Sequence, residues 1–197
     1  MVTISNEDFI RVYEKAFSDE FCDNLIQYFE WCLENNMVWE RGDSAIHKKD
    51  QSVLINPHAT EINYNYSHIN WLIGDFNSLF WDKYYKEYCD EFPVLNNFGG
   101  HTIFSYKLQK TLPGGGYHVW HAEQDSKNHA DRLAVYTVYL NDIFEGGETE
   151  FLHQRIRVPA RKGSLCIFPS SYSHAHRGNP PLNEIKYILT GWVEFRG

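Results

Sequence analysis

Two stretches in the first hundred residues repeat their apolar positions at helical spacing. In DEFCDNLIQYFEWCLENN, which begins at Asp19, residues Phe21, Leu25, Phe29 and Cys32 share one face. Ser18 stands before this run as an N-cap, and Asp19 and Glu20 bring negative charge to the first turn, where the helix dipole favours it. A second helix is predicted over residues 69–91, with Trp71, Leu72, Phe76, Phe80, Trp81 and Tyr84 as its apolar face. Both aromatic stripes read as core-packing faces. Beyond Gly100 the pattern shortens. The runs HTIFSYKLQ, RLAVYTVYL, ETEFL, RIRV, GSLCIF and IKYILTGWVEF are separated by turn signals such as Pro113-Gly114-Gly115-Gly116, Gly146-Gly147 and Asn179-Pro180-Pro181. Short strands without helices between them predict an antiparallel sandwich or barrel. The pattern describes one domain: a mainly β fold with flanking helices, helical over about 1–99 and a β-barrel core over about 100–197.

Composition narrows the function classes. Aromatic residues make up 16% of the chain, which suits pleated surfaces. The net charge is −8 and no basic run occurs, which disfavours a nucleic-acid partner. Cys22, Cys32, Cys89 and Cys166 show no metal or disulfide spacing and are expected as small buried hydrophobes. No stretch approaches 18 apolar residues and MVTISNEDFIRVY has no apolar signal region, so a cytoplasmic location without a membrane partner is expected.

The informative chemistry lies in the β half, where several of the ten histidines cluster: His118 and His121, His129, then His174 and His176. A strand presents residues i and i+2 on one face, so His121-Ala122-Glu123 offers an imidazole and a carboxylate to one cation. A second histidine from a distant strand would complete two neutral nitrogens and one carboxylate, with positions left open opposite. That set is the facial triad of non-haem iron(II) oxygenases. Alone, HxE is a weak signal. The second histidine stretch about fifty residues on, followed by Lys186 and Trp192, strengthens it.

The order YHVWHAE, RLAVYTVYLNDIFEGGETEF, VPARKGSLCIFP and HRGNPPLNEIKYILTGW resembles the prolyl-4-hydroxylase-like branch of the Fe(II)- and 2-oxoglutarate-dependent oxygenases. The resemblance covers about half the chain, and YLNDIFEGGETEF is its most specific element. It implies a double-stranded β-helix, a jelly-roll or cupin-like barrel preceded by helices. It implies Fe(II) and 2-oxoglutarate, with ascorbate as an optional addition, and hydroxylation of a C–H bond with succinate and CO2 as coproducts. It assigns iron to His121, Glu123 and His176, because the family's distal histidine stands ten residues before the lysine that binds the 2-oxoglutarate C5 carboxylate. That lysine is Lys186, with Thr149 of GGET beside it and Trp192 following. His174 and His118 are then wall residues. Two departures stand out: Glu123 replaces the usual aspartate, with Asp125 as the alternative carboxylate, and Thr111 occupies the place of a tyrosine that contacts 2-oxoglutarate. Tyr106 on the same strand is the expected substitute.

Lys186 also has independent physical sense. A carboxylate bound in an apolar barrel needs a charge partner, and IKYILTGW is otherwise apolar. The bland alternative is a strand-edge lysine that discourages aggregation. The rival of another class is a catalytically inactive cupin-like binding module. Glu123 in place of aspartate favours it, and the retention of both histidines and the lysine opposes it. Zinc hydrolysis through His118 and His121 is disfavoured, since zincins carry HExxH and the intervening residues here are Val119 and Trp120. Gly114–Gly116 lacks the GK[ST] of a P-loop. A prolyl residue or a small amino-acid-like molecule is the expected substrate, as a free small molecule or within a peptide. Arg155, Arg157 and Arg177 are candidates for the barrel mouth.

Overall fold

The computed structural model describes residues 8–40, 48–56 and 66–196. Its first part runs β1 (Arg11–Tyr13), α1 (Asp19–Glu34), β2 (Trp39–Glu40), β3 (Lys48–Lys49), β4 (Gln51–Ile55), α2 (Tyr66–Leu79) and α3 (Tyr85–Glu91). The β region follows as β5 (His101–Thr102), β6 (Tyr106–Thr111), β7 (Gly116–His121), β8 (Arg132–Tyr139) and β9 (Thr149–Phe151). It ends with β10 (Ile156–Val158), β11 (Leu165–Pro169), β12 (His176–Gly178) and β13 (Lys186–Phe195).

Ser18 caps α1 as expected, its Oγ accepting from Phe21 N–H at 3.1 Å. The second helical run is continuous but not uniform. A π-helical turn at Phe80–Tyr84 joins α2 to α3 and shifts the apolar face by a residue, so that Tyr84 and Tyr85 are both buried. Among the described residues, no helix is long and apolar enough to cross a membrane.

The strands form two antiparallel sheets. The larger has the order β1-β11-β8-β13-β6-β4-β2, with β5 also paired to β13; the smaller has the order β10-β9-β12-β7-β3. The N-terminal half is therefore not purely helical, since β1, β2 and β4 extend the large sheet and β3 the small one. These runs of two to five residues are too short to show a period, and pairing against a preformed sheet edge makes them strands.

The large sheet is covered on both faces. Alternation along β8 sends Ala134, Tyr136 and Val138 toward the helices, where they join Phe21, Leu25, Phe29, Phe76 and Phe80 in one core. Val135 and Tyr139 point the other way, into a core between the sheets with Phe151, Val158 and Phe168. β13 obeys the same parity: Leu189 and Val193 face the helices, while Lys186, Ile188 and Trp192 face the space between the sheets. That double burial is why RLAVYTVYL and IKYILTGW read as nearly continuous apolar runs. All four cysteines are free and buried.

Candidate metal centre

β7 delivers His121 as its last residue, and Glu123 lies just beyond the strand. The pair is therefore not held by strand alternation, as the sequence suggested, but by fastenings on Glu123. Its N–H donates to the Ser170 carbonyl at 3.1 Å, and Arg132 Nη1 donates to its own carbonyl at 3.0 Å. Trp192 Nε1 donates to Oε2 at 2.9 Å, and Arg132 Nη1 reaches the same oxygen at 3.3 Å. The guanidinium lies 3.7 Å over the Trp192 ring. Oε1 is left facing His121 Nε2 at 3.3 Å and His176 Nε2 at 3.7 Å.

His176 opens β12, the strand between β7 and β9, and stands opposite both His121 and Phe151. Each imidazole is held in the same way. His121 Nδ1 bonds the Val119 carbonyl and His176 Nδ1 the His174 carbonyl, both at 3.0 Å. A carbonyl can only accept, so each Nδ1 carries a proton, and each Nε2 is the nitrogen turned toward Glu123. Tyr117 stacks on His121 at 3.7 Å, and Phe168 meets His176 edge-on at 4.8 Å.

One ligand atom from each of His121, Glu123 and His176 lies within 4.8 Å of the other two. Burial raises the cost of charge on Glu123, yet the two imidazoles hold its carboxyl well below its ordinary value. Two neutral nitrogens and one carboxylate, each fixed by a further hydrogen bond, are the donor set an iron(II) ion takes. The residues present fit that ion. Trp192→Phe keeps an aromatic ring, though a smaller one, and removes the donor to Oε2. It is expected to lower Fe(II) affinity by about tenfold, measured by anaerobic metal titration.

A cavity of 370 Å³ opens over this cluster, with Lys186, Thr149, Thr111, Ile188 and Trp192 also on its wall. Lys186 sits on β13, with β8 on one side and β6 on the other, which rules out the strand-edge reading. Only 6% of the residue is exposed, and Nζ donates to the Gly147 carbonyl. Desolvation pushes its pKa down to about 8, with Glu148 opposing. A buried ammonium at the base of a cavity fits a carboxylate ligand. Thr149 Oγ1 pairs with Tyr139 OH at 2.7 Å beside it.

Several expectations need correction. Tyr106 does not line the cavity. Alternation along β6 turns Lys107, Gln109 and Thr111 inward and Tyr106 toward α2, where its hydroxyl donates to Asn77 Oδ1 at 2.7 Å. Thr111, paired directly with Lys186, is the β6 residue at the base. Arg155, Arg157 and Arg177 are not at the mouth. β12 turns His176 inward and Arg177 outward, where it pairs with Glu150 at 2.7 Å and lies 4.5 Å over Trp120. Arg157 pairs with the same Glu150 at 3.0 Å, and Arg155 joins it in a separate groove. His174 belongs to a short 3-10 turn at Tyr172–His174 rather than to a strand, and its Nε2 bonds the Asp8 carbonyl. Asp125 is exposed and bonds His129 at 2.6 Å. His118 is outside the three-residue cluster. Arg132 escaped the sequence reading, because nothing in RLAVYTVYL marks its first residue as a clamp.

Residues 104–194 match the family model described as the 2OG-Fe(II) oxygenase superfamily. No curated protein matches the chain significantly. Among solved structures, a Pseudomonas putida prolyl-4-hydroxylase superposes with a TM-score of 0.68 at 16% identity, over 98% of this chain and 95% of that one. A viral collagen prolyl hydroxylase from Paramecium Bursaria Chlorella virus-1, in its 2-oxoglutarate complex, gives 0.64 at 18% identity over 98% of each chain. A Trichoplax adhaerens prolyl hydroxylase, in complex with a peptide fragment of the hypoxia inducible factor oxygen degradation domain, gives 0.71 at 15% identity, over 96% of this chain and 84% of that one. Residues 104–194 are thus similar to the 2OG-Fe(II) oxygenase superfamily, and the chain has the fold that these prolyl hydroxylases share.

Proposed function

We propose that this chain is an Fe(II)- and 2-oxoglutarate-dependent dioxygenase that hydroxylates a C–H bond. One observation carries the reading: a buried ammonium and a two-histidine, one-carboxylate cluster line the same cavity. Iron bound there would let one atom of O2 oxidise 2-oxoglutarate to succinate and CO2 while the other enters the substrate as hydroxyl. The chain's own residues do the rest. His121, Glu123 and His176 would hold the metal, each by one ligand atom. Lys186, with Thr111 and Thr149 on the same cavity wall, would anchor the far carboxylate of the cosubstrate. Phe168, Val135, Ile188 and Trp192 keep the inner wall apolar and limit water.

An inactive cupin-like module accounts poorly for this arrangement. Burying Lys186 is costly, and a barrel without a carboxylate to bind has no use for it. The prolyl hydroxylase neighbours favour a prolyl residue or an amino-acid-like molecule as the prime substrate. Incubation with Fe(II), 2-oxoglutarate and O2 tests the reaction class. Succinate should form in step with loss of 2-oxoglutarate and stop in His176→Ala. Succinate no higher than in a protein-free control, across prolyl peptides and free amino acids, would contradict the proposal.

A further inference from the structure

Two strands from the first half of the chain widen the inner face of the large sheet beyond the barrel. β4 pairs with β6, with Ser52 opposite Gln109 and Leu54 opposite Lys107, and β2 pairs with β4, with Trp39 opposite Ser52. Residues directly opposite each other in an antiparallel pair share a face. Lys107 and Gln109 line the cavity, so Ser52, Leu54 and Trp39 stand on that same face, while Val53 and Ile55 turn to the helix core. The small sheet does not follow. β3 covers only Gly116 and Tyr117 of β7, and among the described residues no strand carries that sheet out over β4 and β2.

An apolar shelf results at the side of the cavity. Ser52 is buried, but Leu54 is 66% and Trp39 56% exposed. The two are diagonal cross-strand neighbours, within reach of each other for side chains of this size. Scattered exposed apolar residues are ordinary. These two adjoin each other and the candidate active site, where an apolar patch marks recognition. Between the shelf and the metal cluster lies a polar stretch of cavity wall: Lys48, Asp50, Lys107 and Gln109. Its groups are engaged within the protein. Asp50 lies 3.8 Å from Lys48 and accepts from Gln109 Nε2, and Lys107 has a partner in the chain as well. A ligand that crosses this stretch needs hydrogen-bonding groups along its length rather than charge.

We propose that the shelf of Trp39 and Leu54 receives an apolar side chain of a peptide substrate, a few residues from the one that is hydroxylated. The proposal rests on the hydroxylase reading and specifies its substrate class as an extended chain. From β6 to β2 is two strand spacings, about 10 Å, which takes at least about three residues of extended backbone to span. A free amino acid held at the metal has no atom that reaches so far. A hydrocarbon chain would reach the shelf, but it would strip water from the polar stretch and return no hydrogen bond. A peptide meets both demands: its amides cross the polar wall, and an aliphatic or aromatic side chain is taken out of water on the shelf.

The test is calorimetric binding of short capped peptides to the enzyme loaded anaerobically with Fe(II) and 2-oxoglutarate. Each peptide has a central proline, and leucine, tryptophan or serine is placed in turn at every flanking position. At one spacing leucine or tryptophan should give a Kd below about 1 mM, about tenfold or more tighter than serine there. Leu54→Ser and, independently, Trp39→Ser should each remove most of that advantage while Fe(II) and 2-oxoglutarate affinities stay unchanged. Both side chains are exposed, so neither substitution should disturb folding. The proposal is overturned if no peptide binds, if no flanking position favours an apolar residue, or if the preference persists in both variants. It is equally overturned if sedimentation shows a dimer that Leu54→Ser dissociates, since the shelf would then cover a second copy of the chain. Failure of 2-oxoglutarate to bind in the loading step would count against the hydroxylase reading itself, and would show before any peptide is added.

Discussion

His176→Ala should emerge from anaerobic Fe(II) titration without a tight site, while His174→Ala should bind a full equivalent of iron. His176 is held inside the small sheet with Nε2 turned toward Glu123 and Nδ1 tied to a carbonyl, so removing it deletes a preoriented donor. The loss should exceed the roughly 10- to 100-fold that follows removal of an outer hydrogen-bond partner. His174 is two residues away, but it sits in a different environment. Its nitrogens are engaged by Ser173 and Asp8, and burial lowers its pKa so that it remains neutral. Glu123→Ala should match His176→Ala. Glu123→Asp shortens the carboxylate by one methylene, so it cannot serve Trp192, Arg132 and the metal equally, and weaker but measurable iron binding is expected. Asp125→Ala should change nothing, since that carboxylate pairs with His129 at the surface. Full iron occupancy in His176→Ala, or its loss in Asp125→Ala, would show that the ligand set is misassigned.

Lys186→Met should weaken 2-oxoglutarate binding by about 30- to 150-fold, equivalent to about 2–3 kcal/mol for a lost charge-assisted contact. Fe(II) affinity should stay close to wild type. Methionine fills a similar volume, and Lys186 is already penalised by burial, so the variant should fold without loss of thermal stability. The same burial predicts a pH dependence. Because the folded pKa is lowered from 10.5 to about 8, the unfolded chain holds a proton between those values that the folded chain has released. Stability of the ligand-free protein should therefore rise with pH across that window. A bound dicarboxylate favours the ammonium, so 2-oxoglutarate affinity should be fullest below about pH 8 and fall as pH rises. Calorimetry of the wild type and of Lys186→Met at several pH values measures all three effects. Equal weakening of iron and 2-oxoglutarate in Lys186→Met would make the lysine structural.

Much of this architecture was legible because the long elements carry a period. The Ser18 cap, the apolar face of α1 and the continuous runs of β8 and β13 all follow from local pattern. The short pieces β1 to β4 were not legible, because two to five residues display no period and their conformation comes from the sheet edge they join. The ligand triad could be proposed from HxE, a later histidine and a lysine, with family register choosing His176. The reason that His174 differs was hidden, since SYSHAHRG looks like one strand and is in fact a 3-10 turn followed by a strand. Tyr106 was misplaced through parity: counted from Thr111, which pairs with Lys186, it falls on the opposite face of β6. The Arg132–Trp192 clamp joins residues sixty apart and leaves no local trace.

The most direct test of the central claim is visible absorption on anaerobic addition of Fe(II) and 2-oxoglutarate together. A weak charge-transfer band should appear only when both are present, require lower 2-oxoglutarate concentrations in wild type than in Lys186→Met, and be absent from His176→Ala. A protein that binds Fe(II) and 2-oxoglutarate but gives no band, or a band that persists in His176→Ala, would contradict the assignment of one shared iron and 2-oxoglutarate site.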